Sequence, residues 1–224
     1  MAHCIHREKY HFSKAPLLLC FEQGFRNDSR KEIHMKNTKK MVGIALLTAI
    51  VAVLQFFLSS IRVGTFTFSF VLIPLVVGAA LYGYKAGAWL GLVFGATVLL
   101  SGDAALFLGI NVAGTIITVL LKGLLAGLFA GLAYKALEKV NKYLAVIVAA
   151  VVCPLTNTGI FLLGCKLFFF DAISQMANDA GFDSAVAFMF IGLAGINFLI
   201  ELGTNVVLSP VIVRLINIGK KEAK

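Results

Sequence analysis

Long apolar stretches follow one another along this chain, and they limit its fold more than any other feature. Apolar side chains make up 59% of the residues and charged ones only 14%, against about 25% charged in a typical soluble domain. Several stretches approach the ~20 residues with which an α-helix crosses a ~30 Å hydrocarbon core. In lipid, backbone polar groups must bond within their own segment. The sequence therefore predicts an all-α, polytopic membrane protein.

Six transmembrane spans are predicted from these stretches and from the charges between them. Lysine and arginine concentrate in the loops assigned to one side, so the positive-inside rule places both termini in the cytoplasm. The same asymmetry explains the excess of 20 basic over 11 acidic residues without a nucleic-acid partner. The third and fourth spans carry glycine at every fourth position, which permits close helix packing. The spans are about 41–61, 70–83, 86–101, 112–134, 143–168 and 192–214.

The ends of the chain differ in composition from the spans. Residues 1–34 are polar and have neither the long apolar region nor the cleavage site of a signal peptide. Their cysteines and histidines match no common zinc-ligand spacing, so no metal site is predicted. Because Met35 begins a sequence typical of a natural start, we interpret 1–34 as a disordered or spurious leader. Residues 35–219 are expected to form one six-helix transmembrane domain, and 220–224 a basic cytoplasmic tail.

The segments expected on the outer side have a different pattern. Residues 65–70 alternate polar and aromatic side chains, which is the period of a strand. An extended segment cannot face lipid. It is therefore expected at the outer surface, either covering a cavity or forming an interfacial aromatic belt. Residues 102–111 and 171–183 are predicted outer loops.

A polar stripe runs through the last predicted span. Asn197, Glu201 and Asn205 are spaced four residues apart and so share one face of a helix. A carboxylate deep in an apolar span costs about 2.5–3.5 kcal/mol on insertion scales. It should therefore face protein, water or ligand. Either the two asparagines form hydrogen bonds between helices and Glu201 forms a structural ion pair, or the stripe lines a ligand cavity.

Two further polar positions lie within apolar spans. Lys122, in the fourth span, can snorkel outward or pair with an anion, and Glu201 is its first candidate partner. Pro154 is expected to kink the fifth span, and Asn157 follows one turn later. A kink beside polar side chains can form a polar site. Alternatively, the neighbouring threonines hydrogen-bond the backbone groups that the proline leaves without partners.

Several motifs together resemble a known family. They are Ala45-x3-Ala49, the segment 73–78 leading into 83–87, Asn157-Thr158-Gly159, and Asn197-x3-Glu201-x3-Asn205 through Pro210. Together with six short glycine-rich spans, they resemble the substrate-binding S component of energy-coupling factor (ECF) vitamin transporters. The motifs of the fifth and sixth spans are similar to those of the pantothenate-type branch of this family.

The resemblance implies a function and partners. S components of bacterial plasma membranes bind a vitamin in an outward-facing cavity formed largely by spans four to six. They associate with a transmembrane coupling subunit and two cytoplasmic ATPases, and Ala45 and Ala49 match the docking surface. This chain lacks a Walker A motif, so ATP is expected to act in the partners and no cofactor is expected in the chain itself.

The candidate substrate-binding residues favour pantothenate. Lys122 offers a cation for its carboxylate, and Asn157 and Asn197 offer both donors and acceptors. Glu201 is expected at the cavity floor, orienting Asn197 or balancing Lys122. Riboflavin or a folate would need more aromatic stacking, and that could come from Phe66 and Phe68.

Two other functions compete with this one. An intramembrane enzyme would use Glu201 as acid or base and Lys122 as its electrostatic partner. However, all four histidines lie in the leader, and no nucleophile–base arrangement is recognisable, so no enzyme is predicted. A non-transporting assembly subunit would bind no small molecule at all.

Overall fold

The computed structural model describes residues 38–59, 62–63, 66–67 and 70–222 of the chain. The chain divides into two compact units, residues 1–41 and 42–224. Of the first unit, only the start of the first helix is described, and the predicted leader 1–34 lies outside the described residues. The fold below is that of the second unit.

The described residues are mostly helical, as predicted. A short hairpin follows the first helix, and a π-helical segment (Phe188–Gly195) lies between α8 and α9. In chain order the elements are α1 (Thr38–Ser59), β1 (Arg62–Val63), β2 (Phe66–Thr67), α2 (Leu72–Tyr82), α3 (Tyr84–Leu100), α4 (Ala105–Ile110), α5 (Val112–Leu137), α6 (Lys142–Phe168), α7 (Phe170–Asp179), α8 (Ala185–Ala187), α9 (Ile196–Val207) and α10 (Ser209–Glu222).

Four helical segments in the described part of the chain are long and apolar enough to cross a membrane. They are α1, α5, α6 and the run Ala185–Val207; α2, α3 and Ser209–Ile218 are shorter apolar helices. Helix α2 has only 11 residues, a rise of about 16 Å. Large apolar side chains such as Leu46 and Leu163 are exposed, as a lipid-facing surface requires. A helical membrane protein is supported, whereas the six-span count and the side of the termini stay predictions.

The segments predicted outside the spans are more regular than expected. The strand period is confirmed at Phe66–Thr67, which pairs antiparallel with Arg62–Val63. The two predicted loops, however, contain helices α4 and α7. In α7, Ile173 and Ala177, one turn apart, are buried on one face, as in an amphipathic helix.

Helices α3 and α5 pack with their backbones almost touching, as the glycine spacing predicted. A Cβ added to Gly91 would collide with the backbone oxygen of Gly123, and one added to Gly127 with that of Gly87. Only hydrogen fits at these positions, so each glycine is required by the contact. We call this contact the glycine seam.

The prediction of one continuous helix over 192–214 is wrong. The segment begins in a π-helix, α9 ends at Val207, and α10 starts after a turn at Leu208. Pro210 explains the break, because it has no N–H and its ring crowds the carbonyl one turn earlier. The Ile212 N–H donates to the Leu208 oxygen at 2.9 Å, at the start of α10.

Candidate functional site

A cavity of about 220 Å³ lies among α1, α3, α4, α5, α6 and the segment from the π-helix into α9. Apolar side chains of α3 and α5 form part of its wall. Lys122, Asn157, Asn197 and Glu201, all predicted from the sequence, line the same cavity from three helices. The structure therefore brings these four residues together, while their role in substrate binding stays a prediction.

The polar stripe of α9 divides between the cavity and the protein core. Glu201 is only 2% exposed, and the Asn197 amide donates a hydrogen bond to its Oε1 at 3.1 Å. This bond fixes the direction of the Asn197 amide. Asn205, one turn further, is 1% exposed and lies outside the cavity wall. Neither polar atom of its side chain has a hydrogen-bond partner among the described residues.

Lys122 enters the cavity from α5, one residue before Gly123 of the glycine seam. Its Nζ lies 5.2 Å from the centroid of the Phe161 ring, a cation–π contact with α6. Phe107 of α4 supports that ring edge-on, with centroids 5.5 Å apart. Within the described residues, Lys122 makes no ion pair shorter than 4.0 Å.

Asp103 adds a second carboxylate to the wall, from the turn between α3 and α4. The Gln55 amide of α1 donates to Asp103 Oδ2 at 2.6 Å, and the Ser101 hydroxyl donates to the same atom at 3.3 Å. Gly102 makes the turn possible through its φ of 82°, a value that glycine adopts readily. The Gln55–Asp103 bond therefore ties the end of α1 to the α3–α4 turn.

Asn157 lines the cavity and carries a buried acceptor oxygen. It lies on α6 one turn after Pro154, which the helix contains without ending there. Its side chain is 7% exposed, and its Oδ1 has no hydrogen-bond partner among the described residues. A buried carbonyl oxygen without a partner costs about 1–3 kcal/mol. A ligand N–H or O–H in the cavity would remove that cost.

Other predicted residues lie elsewhere. Ala45 and Ala49 are exposed on α1, outside the cavity wall. Phe68 lies outside the described residues, and Phe66 is described only by its backbone in β2. Their proposed roles in docking and stacking are therefore not addressed by the geometry of the cavity.

Sequence reasoning missed Gln55, Asp103, Phe107 and Phe161 as site residues. Gln55 carried a usable signal, because a glutamine within the first apolar stretch is costly unless it has a polar partner. Asp103 is the acidic residue of the predicted loop 102–111, but only the fold turns it toward the cavity. The two phenylalanines are indistinguishable in sequence from lipid-facing ones.

The arrangement is suited to binding a small polar molecule. Its polar groups are two carboxyl groups, one lysine amine and several amides, and they line one partly open cavity. Over the part of the chain that the structure describes, no group of three or more His, Cys, Asp or Glu side chains is placed to hold a metal ion.

Comparison with known proteins identifies the family. No curated protein and no solved structure matches the chain. Residues 39–213 match the family described as ECF transporter, substrate-specific component. This match covers every described element from α1 into α10, including all the cavity-lining residues. The chain therefore belongs to the family of substrate-specific components of ECF transporters.

Proposed function

We propose that this chain is the substrate-capturing subunit of an ATP-driven importer, and that a water-soluble micronutrient occupies the cavity between α5, α6 and α9. The observation that carries the proposal is the cavity itself, with buried polar groups on three helices facing one volume. Polar groups buried in an apolar bundle are costly unless something pairs with them. A ligand that fills the cavity supplies such pairing.

The proposed setting follows from family membership and from the charge pattern. The subunit crosses the bacterial plasma membrane six times with both termini in the cytoplasm, where basic residues flank the spans. A transmembrane coupling subunit and two ATPases complete the importer and use the ATP. Ala45 and Ala49, exposed on α1, offer a small-residue face on which a partner helix can approach closely.

Pantothenate is the first specific substrate to test. Lys122 supports it, because its ammonium reaches the cavity and lacks a direct ion pair among the described residues. Asp103 and Glu201 weigh against it, because a third carboxylate would join two that line the same volume. Riboflavin and folates remain alternatives whose stacking on Phe66 and Phe68 concerns side chains outside the described part.

The competing functions gain little support. For an intramembrane enzyme, Glu201 would need to act on a substrate beside Lys122. Instead, its Oε1 accepts the Asn197 amide, and Lys122 lies against Phe161, an arrangement suited to holding rather than converting a molecule. A non-transporting assembly subunit would have no use for a polar cavity.

The proposal is tested with the purified full-length protein. Mass spectrometry of small molecules released on denaturation should find an unmodified micronutrient in near-stoichiometric amount. Asn157→Ala should reduce the amount retained, because it removes the open acceptor, whereas Asn141→Ala, at the exposed N-cap of α6, should not. A chemically converted product would favour an enzyme, and no retained molecule with no binding by calorimetry would favour an assembly subunit.

A further inference from the structure

The position of the Lys122 amine needs a physical cause, because a lysine side chain is long and flexible. Lys122 belongs to α5 and lines the cavity, and its amine sits at the end of a four-carbon stem with many rotamers. A group that meets a ligand at one place has to be held there by its surroundings. The amine lies against a ring of α6, with Nζ 5.2 Å from the centroid of Phe161. Phe161 is therefore the first candidate for holding it.

An aromatic ring can hold this amine in either protonation state. A charged amine is attracted to the ring face through a cation–π contact, and a neutral one can direct an N–H at the same face. An aliphatic side chain at position 161 would fill space beside Lys122 but would attract its amine in neither way. The ring of Phe161 therefore gives the amine a preferred place.

The Phe161 ring is itself held by two further rings. Phe107 of α4 packs on it edge-on, with centroids 5.5 Å apart and planes at 88°. Phe169, at the end of α6, packs on Phe107 with centroids 5.1 Å apart and planes at 66°. Edge-to-face contacts are a preferred geometry of aromatic pairs and stabilise beyond the area that they bury. We call Phe161, Phe107 and Phe169 the aromatic chain.

The far end of the aromatic chain is anchored in a second hydrophobic core. Phe169 is 3% exposed, and the other two rings pack against the cluster to which it belongs. Ile173 brings α7 into this cluster, and Met189 brings in the π-helical segment. Helix α7, where the sequence predicted only a loop, thus supports side chains of the cavity wall. The other buried members of the cluster are Cys165, Ile173 and Met189.

We propose that Phe161 and Phe107 are positioning residues, which hold the Lys122 amine where it acts on the ligand and so set how well the cavity distinguishes an acidic from a neutral ligand. The inference rests on the proposed capture role and deepens it. An amine held at one place favours a carboxylate over an alcohol at that place. An amine free to change rotamer distinguishes the two less.

Pantothenate and panthenol are the probes, because they differ by a carboxylate in place of an alcohol. Calorimetry on the full-length protein gives the acid–alcohol ratio, which is the affinity for pantothenate divided by that for panthenol. Phe161→Leu should lower this ratio about two- to fivefold, the effect of losing one cation–π contact. Phe107→Leu should lower it less, because the Phe161 ring remains. Phe161→Tyr keeps a ring and should keep the wild-type ratio.

Two controls connect the ratio to the lysine. Phe129→Leu makes the same exchange on α5, at a side chain 42% exposed and outside the cavity wall, and should leave the ratio unaltered. In a Lys122→Met protein, the addition of Phe161→Leu should not change the ratio further, because the amine that the ring holds is gone. If Phe107→Leu does not fold, the Phe161 variants carry the test.

Melting temperatures test the contact without any ligand. They are compared for the wild-type protein, Lys122→Met, Phe161→Leu and the double variant. The double variant should be less destabilised than the sum of the two single shifts by about 2–4 °C, because the contact is lost only once.

The outcomes separate the inference from the capture role. If Phe161→Leu weakens both probes equally, if Phe129→Leu lowers the ratio as much, or if the melting shifts are additive, the positioning role is overturned and the capture role stays intact. If neither probe binds but the wild-type protein releases a small molecule, the melting temperatures decide the inference. If no probe binds and no molecule is released, the capture role fails, and the inference falls with it.

Discussion

Helix α5 packs tightly against α3 on one side and borders the cavity on the other. Toward α3, Gly123 and Gly127 leave no room for a Cβ against the facing backbone. Toward α6 and α9, Lys122 stands in a cavity of about 220 Å³. These opposite environments belong to adjacent residues, because Lys122 directly precedes Gly123 in the sequence.

The difference separates what holds the bundle together from what it can bind. Lipid is as apolar as a leucine side chain, so helices in a membrane associate through close packing and not through the hydrophobic effect. The glycine seam supplies that packing and fixes the axis of α5. With α5 fixed, Lys122 is held at a constant position beside Phe161. Changes in the seam should therefore affect stability, and changes in the cavity should affect binding.

The largest expected effect comes from filling the seam. Gly91→Ala places a methyl group against the backbone oxygen of Gly123, and a backbone atom cannot move aside as a side chain would. We expect a loss of about 3 kcal/mol, the upper part of the range for overpacking. Thermal unfolding in detergent measures it.

The matched control is Gly159→Ala on α6, where nothing lies within 4 Å of an added Cβ. The same methyl group should stabilise the helix there by about 0.5–1 kcal/mol. Equal unfolding temperatures for the two variants would contradict the steric account of the seam.

The second effect is electrostatic and concerns the cavity side of α5. Lys122→Met keeps an unbranched apolar chain beside Phe161 and removes the positive charge. Binding of pantothenate should weaken by about 1.5–3 kcal/mol if its carboxylate meets Lys122. Calorimetry with pantothenate on the full-length protein measures the change.

Lys139→Met is the control, since Lys139 is exposed after the end of α5. Unchanged affinity for pantothenate in a folded Lys122→Met protein would mean that the Lys122 charge does not act on this ligand.

The third effect concerns small residues that face outward. Replacing Ala45 and Ala49 by leucine fills the exposed face of α1, which is expected to weaken association with a coupling subunit by about 1–3 kcal/mol through overpacking. Ligand binding should stay normal, because neither residue lines the cavity. Co-purification of the coupling subunit and ATP-dependent uptake measure the loss.

The control uses two other exposed alanines, Ala113 and Ala136, which lie at opposite ends of α5. The double leucine variant at those positions should assemble normally. Full assembly by the α1 variant would contradict docking through Ala45 and Ala49.

The sequence predicted the seam better than the cavity, for a physical reason. Glycine every fourth residue is a local pattern with few structural uses in lipid, so it foretold the contact of α3 with α5. The polar residues Lys122, Asn157 and Glu201 were equally visible, because charges and amides in apolar spans are costly. Local patterns were therefore enough to predict a residue's role wherever that residue is energetically costly or rare within a membrane span.

The parts that could not be predicted depend on tertiary contacts. Asp103 is unremarkable in a loop, and only its bond with Gln55, 48 residues away in sequence, connects it to α1. Phe161 is one phenylalanine among the 19 in the chain. The end of α9 was missed for another reason, since Pro210 was visible but was treated as part of the continuous helix.

The smallest expected effect separates the two halves of the polar stripe. Asn205 is buried with neither side-chain polar atom hydrogen-bonded among the described residues, and it lies outside the cavity. Asn205→Leu, close in volume, should therefore raise stability by about 1 kcal/mol, because it removes buried polar atoms that lack partners. Ligand affinity should not change.

Asn157→Leu makes the same exchange inside the cavity. There the Asn157 oxygen is proposed to meet the ligand, so affinity should fall even if stability rises. Thermal unfolding and calorimetry on both variants test the comparison. If Asn205→Leu lost binding as Asn157→Leu does, Asn205 would belong to the binding site. The site would then extend one helical turn along α9 beyond Glu201.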